Sequence, residues 1–270
     1  MSTTSDPAAP AASPHRPARA GARTLAVTSG KGGVGKTFVT ANLAAALAAR
    51  GQKVLVLDAD LGLANLDVVL NLHPKLTLHD VFTEKATLEQ AILPAPGGFF
   101  ALLAGSGMVE YSRLTPEVRD KLLHIIDLVK PRYDWVLLDT GAGISDVVLY
   151  AISLAQDVLV VATPEPTSLT DAYATIKVLA THQERRHVGL LVNQANRAGE
   201  GKLICGQLQQ VLKRFIGAVP AQHFTLELLG EVKADPAVRQ AVLKRQLMLE
   251  HYPGCAAAQA IKALASKLLG

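Results

Sequence analysis

Cysteine is nearly missing from this chain: two residues, Cys205 and Cys255, in 270. They stand far apart in sequence, which excludes a disulfide-scaffolded fold and leaves no close pair of the kind that zinc or iron–sulfur sites take from one chain. Aromatic side chains make up only 4%, so aliphatic residues carry most of the 49% apolar fraction, and that fraction with 19% charge excludes a wholly disordered chain. Long hydrophobic runs are missing too. The longest, Leu43–Ala49 and Val158–Ala162, fall far short of the ~20 residues that span a bilayer. The N-terminus shows no apolar core segment of a signal peptide. These features predict a reduced, soluble, cytoplasmic protein. The excess of positive charge is small, +4, and part of it is Arg16, Arg19 and Arg23 set against Asp6. Such a balance argues for neither nucleic acid nor an anionic membrane as partner.

What is present is a regular alternation. Residues 1–24 hold seven Ala and four Pro and no bulky aliphatic residue, so they are expected to form a disordered tail. From Leu25 onward, short apolar runs predict strands at Leu25–Ser29, Lys53–Leu57, Phe99–Ala104, Trp135–Leu138, Val158–Ala162, Val188–Val192 and, more weakly, Leu226–Gly230. Helical patterns lie between them at Thr37–Arg50, Pro116–Val129, Ser168–Thr181, Lys202–Phe215 and Pro236–Lys244. Continuous apolar strands belong to sheets covered on both faces, and strand-then-helix repetition belongs to parallel sheets with right-handed crossovers. The expectation is a single α/β domain over 25–252, mostly parallel sheet with helices on both faces, followed by a C-terminal amphipathic helix in 253–270. Ligands of such sheets bind beyond the carboxyl ends of the strands.

The first strand is followed at once by Gly30-Lys31-Gly32-Gly33-Val34-Gly35-Lys36-Thr37 and then a helix. This is the phosphate loop G-x-x-x-x-G-K-T, in the strand–loop–helix context that the motif requires. Its glycines let the backbone approach phosphates closely, and its N–H groups, with the helix N-terminus, make an anion nest. Lys36 is expected on the β- and γ-phosphates of a nucleotide, and the Thr37 hydroxyl on Mg²⁺.

Phosphoryl transfer also needs a metal-side acid and a group to orient the attacking water. The second strand runs into Asp58-Ala59-Asp60, with Asn65 and Asp67 downstream. Asp58 suits the outer shell of the metal, Asp60 the water, and Asp67 a helix N-terminus or the surface. Asp139 closes another apolar strand and reads as the Walker B acid, before a Thr140-Gly141-Ala142-Gly143 segment able to move as a switch. Asn193, at the end of the sixth predicted strand, offers an amide that could read a base or stabilise a turn.

Lys31 gives the loop the form K-G-G-x-G-K-[ST], and here the sequence resembles the deviant Walker A group of MinD/ParA ATPases, from Leu25 to the end. The resemblance implies an ATP-dependent homodimer in which Lys31 reaches the partner's nucleotide. It also implies the same roles for Asp58 and Asp60, a place for Asn65 in the first switch, and an adenine contact for Asn193. Gly62-Leu63-Ala64-Asn65-Leu66-Asp67 looks like the MinD branch. Leu137–Leu149 and Thr163–Leu179 are most similar to the FlhG/FleN group, which regulates the number and placement of flagella. That likeness implies, as partners, an FlhF-like SRP-type GTPase or a flagellar transcriptional activator. The Gln-Ala motif found near the N-terminus of many members is missing, because Ala8–Ala22 contains no glutamine.

Ile261, Leu264, Ala265 and Leu268 share one face of the last helix. MinD-type proteins bind membranes through such a helix, so 256–269 would make a weak peripheral contact at the inner face of the membrane, or else pack on its own domain. Two competing readings remain. One is a partition ATPase that positions cargo on nonspecific DNA, with Lys213 and Arg214, or Lys244 and Arg245, on phosphates. The other is an iron–sulfur carrier ATPase, which would need cysteines bridging two subunits.

Overall fold

The computed structural model describes residues 21–62, 65–105, 111, 113–216 and 224–270. The expected tail therefore lies outside the described residues up to position 20. Positions 22–24 belong to the domain: Ala22 and Thr24 are buried, and the first strand starts at Arg23. The cause is tertiary, because Arg23 pairs with Asp157 at 2.7 Å and stacks over the Trp135 ring at 4.8 Å.

Among the described residues, eight strands form one sheet: β1 (Arg23–Ser29), β2 (Val54–Ala59), β3 (Leu93–Pro94), β4 (Phe100–Leu102), β5 (Trp135–Ala142), β6 (Asp157–Ala162), β7 (His187–Ala195) and β8 (Thr225–Lys233). Their order is β3-β4-β2-β5-β1-β6-β7-β8, parallel throughout except for the antiparallel β3 edge. The helices are α1 (Lys36–Ala48), α2 (Leu66–Leu70), α3 (Leu78–Phe82), α4 (Leu88–Ala91), α5 (Pro116–Val129), α6 (Asp146–Ser153), α7 (Pro166–His182), α8 (Glu200–Ile216), α9 (Pro236–Leu243), α10 (Met248–His251) and α11 (Ala256–Leu269). The long helices form where the periodicity predicts them, with Pro in the first turn of α5, α7 and α9. The short helices α2–α4, with α6 and α10, were not among the expected ones; α2–α4 and α10, at four or five residues, carry too little periodicity to read.

Alternate strand residues face opposite sides. Leu55, Leu57, Val136, Leu138, Val158 and Val160 pack with α5–α8, whereas Leu25, Val27, Val56, Leu137, Leu159 and Val161 pack with α1 and α11. The two-layer cover is what makes the strands continuously apolar.

The last helix takes the second of its two expected places, packed on its own domain. Ile261, Leu264, Ala265 and Leu268 are buried in the core beside α1 and β8, not displayed for a membrane. Polar ties hold α11 in place: Arg23 donates to the Leu268 carbonyl at 2.6 Å, Arg50 to the Lys262 carbonyl at 2.8 Å, and Lys267 to the Leu228 carbonyl at 2.8 Å. The face is apolar because it covers the sheet. Among the described residues, no helix is long and apolar enough to cross a membrane.

Candidate active site

The carboxyl ends of β1, β2, β5 and β7 converge on the loop that joins β1 to α1. Gly35 caps α1 at φ 93°, a left-handed conformation that favours glycine, and a Cβ there would stand 2.5 Å from the Asn193 amide nitrogen. Gly30 tolerates no side chain for another reason: its Cβ would meet the Asp171 backbone of α7 at 2.2 Å. The loop is thus pressed between two elements that fix its path.

A cavity of about 900 Å³ opens above it. Gly32, Gly33, Gly35, Lys36, Thr37, Asp60 and Asn193 line it, so most of the expected site residues do meet. Lys36 is held below the usual lysine range by burial, opposed by the nearby charges of Asp139 and Asp60. Val34 turns into the core, and its carbonyl accepts from Asn193 Nδ2 at 2.8 Å. Asn193 does not end its strand as expected: β7 continues to Ala195 through Gln194 at φ 57°.

Asp58 and Asp139 lie behind the lining, paired across neighbouring strands and nearly solvent-free. Asp58 is not past the strand end, because β2 runs to Ala59. The backbone N–H of Asp60 donates to Asp58 Oδ1 at 3.2 Å, that of Leu66 also reaches the carboxylate, and Oδ2 has no partner within hydrogen-bonding distance among the described residues. Burial and the Asp139 charge push the Asp58 carboxyl well above the usual range. Burial pushes Asp139 up to about 6, against hydrogen bonds from Thr37 and Thr40 and the charge of Lys36. An orphaned, buried carboxylate oxygen beside a second acid and a threonine hydroxyl is a set of hard oxygen donors, and Mg²⁺ fits it.

Lys31 lies outside the cavity lining. Its Nζ donates to Glu165 Oε2 and to Thr167 Oγ1, both at 2.9 Å, at the start of α7 in the same protomer. Asn65 caps α2, and Asp67 sits in its first turn, accepting from the Val68 N–H at 2.8 Å.

Sequence reasoning missed one whole wall. Lys233, Asp235, Val238, Arg239 and Val242, at the end of β8 and at the start of and along α9, also line the cavity. The signal was there, because a parallel strand ends at this point, but the strand pattern of β8 was weak. Thr40 on Asp139 and the α7 partners of Lys31 were also missed, and nothing in their spacing marks them.

A glycine-rich strand-to-helix loop, a lysine in a cavity and carboxylates at adjoining strand ends define the chain as a P-loop NTPase. A family model described as ParA: NUBPL iron-transfer P-loop NTPase matches residues 21–269. The antiactivator FleN of Pseudomonas aeruginosa is 41% identical over 244 residues, covering 90% of this chain and 85% of FleN. The flagellum site-determining protein YlxH of Helicobacter pylori is 30% identical over 246 residues, 91% of this chain and 81% of that protein. In structure, the septum site-determining protein MinD of Pyrococcus horikoshii, complexed with Mg-ADP, superposes with a TM-score of 0.74 at 29% identity, over 92% of this chain and 96% of MinD. The chain belongs to the MinD/ParA family of deviant Walker A ATPases.

Proposed function

We propose that the chain is an ATP-driven dimerisation switch that regulates the number or placement of flagella. The observation that carries the nucleotide part is Lys36, half-buried in the cavity lining near the charges of Asp139 and Asp60. A lysine so placed supplies charge to a phosphate tail while the loop N–H groups cradle it. Thr37, with Asp58 and Asp139 behind it, would hold Mg²⁺, whose contribution is to neutralise phosphate charge. Asp60 faces the same cavity and would orient the attacking water. Asn193, with one N–H engaged by the loop, keeps its oxygen and second N–H for the base side.

Lys31 would act on the nucleotide of a second copy, the two subunits closing face to face and parting after hydrolysis. To do so it must exchange Glu165 and Thr167 for a phosphate. The flagellar part is supported by the likeness to FleN and YlxH, and the word antiactivator in the name of FleN favours a transcriptional activator as partner over an FlhF-like GTPase.

Titration calorimetry tests the core of this reading. Mg–ATP should give a binding isotherm with the natural chain and none with Lys36→Ala; no heat with the natural chain overturns it. A pull-down with Asp60→Ala and ATP tests the flagellar part. Recovery of a flagellar activator supports it, whereas ATP-dependent, salt-sensitive retention of nonspecific DNA assigns the switch to cargo partition instead.

A further inference from the structure

Thr40 is a hydroxyl in an apolar place. It stands on α1 one turn beyond Thr37 and is fully buried, in a stretch of the helix whose other residues from Phe38 to Leu47 are buried too. Its Oγ1 lies 2.9 Å from the Lys36 carbonyl and 3.1 Å from Asp139 Oδ1. One hydroxyl proton serves one acceptor at a time. The Lys36 carbonyl is also the regular helical partner of the Thr40 backbone N–H, so it can spare the hydroxyl. Asp139 cannot, because a buried carboxylate that loses a donor keeps its full desolvation cost.

The two threonines are three residues apart and share a face of α1. Both reach Asp139: Thr37 lines the cavity, whereas Thr40 is not part of the lining and acts from the core. Asp139 thus receives two hydroxyls from successive turns of one helix.

We propose that Thr40 is a positioning residue for the metal-side carboxylate: by donating to Asp139 Oδ1 it holds that carboxylate toward Thr37, and so sets the affinity for the divalent cation that accompanies the nucleotide. The inference rests on the nucleotide-binding reading above. Thr40 touches neither nucleotide nor cation, and its effect passes entirely through Asp139. Residues that support a metal-binding group in this way typically alter metal affinity 10- to 100-fold when removed.

ADP binding, measured by calorimetry in EDTA and then across a Mg²⁺ titration, separates this role from a structural one without relying on hydrolysis. Thr40→Val removes the hydroxyl at nearly constant volume, and Thr40→Ser restores it. Thr40→Val should match the natural chain in EDTA yet need about tenfold more Mg²⁺ for half of the metal-dependent gain in affinity, with Thr40→Ser within about twofold of the natural chain. A natural Mg²⁺ midpoint in Thr40→Val overturns the inference. So does an equal loss of ADP affinity with and without Mg²⁺, which would make Thr40 a part of the loop scaffold only. Should the valine variant fail to fold, Thr40→Ala removes the same hydroxyl without a new branch and is judged by the same midpoint. A natural chain that binds no ADP overturns the nucleotide-binding reading and this inference together; one that binds, with the variants unaffected, overturns this inference alone.

Discussion

Lys31 Nζ and Glu165 Oε2 stand 2.9 Å apart within one protomer, joining the phosphate loop to the start of α7. Both side chains are substantially exposed, so the pair adds little to stability and can be exchanged at small cost. Glu165→Gln should change the urea unfolding free energy by about 1 kcal/mol or less. Lys31→Ala should keep nucleotide binding but lose ATP-driven dimerisation or hydrolysis. An unaltered cycle in Lys31→Ala, followed by light scattering and phosphate release, would remove Lys31 from the mechanism.

Asp60 lines the cavity, whereas Asp58 and Asp139 lie behind it. Its removal should therefore spare nucleotide binding and stop hydrolysis. Asp60→Ala with ATP should elute as a stable dimer on size exclusion; a monomeric peak under those conditions contradicts the assignment.

Asp139 should make the metal-free protein less stable as pH rises. Its folded carboxyl is pushed from the usual 3.8 up to about 6. An acid whose pKa is higher folded than unfolded binds more protons in the folded state between those values. Its stabilising protonation is complete below the unfolded pKa and lost as pH rises through the folded one. Asp139→Asn should accordingly stabilise the metal-free chain above pH 6, by an amount on the order of 1–3 kcal/mol that shrinks as pH falls toward 4. Denaturant melts in EDTA at several pH values measure the difference; a constant one would show that the burial of this charge is compensated.

The last helix yields a stability test that a membrane anchor would not. Leu264 is 1% exposed and Ile261 is 0% exposed, both in the core beneath the sheet. Leu264→Ala should cost about 2–4 kcal/mol of unfolding free energy. A loss near zero would mean that the face is free in solution and open to a lipid surface.

Much of the architecture was legible beforehand for one reason. Parallel strands covered on both sides read as short continuous apolar runs, and helices longer than three turns repeat their apolar residues often enough to be seen. Phe99–Ala104 shrank to Phe100–Leu102 and Leu226–Gly230 grew to Thr225–Lys233 because strand ends are set by neighbours, not by local pattern. The phosphate loop was legible residue by residue, since its conformation demands glycine at fixed spacing. Helix α11 could not be settled in advance: an apolar helical face looks the same whether a sheet or a bilayer covers it.

Sequence alone determined the strand–loop–helix that makes an anion nest, the acids that follow neighbouring strands, and the alternation that builds the sheet, because each depends on residues close together in the chain. Tertiary structure alone decided that Thr40 meets Asp139, that Lys31 rests on Glu165, that α9 lines the cavity, and that α11 faces inward. Those contacts join segments far apart in the chain, and only the packing of the helices on the sheet brings them within hydrogen-bonding reach.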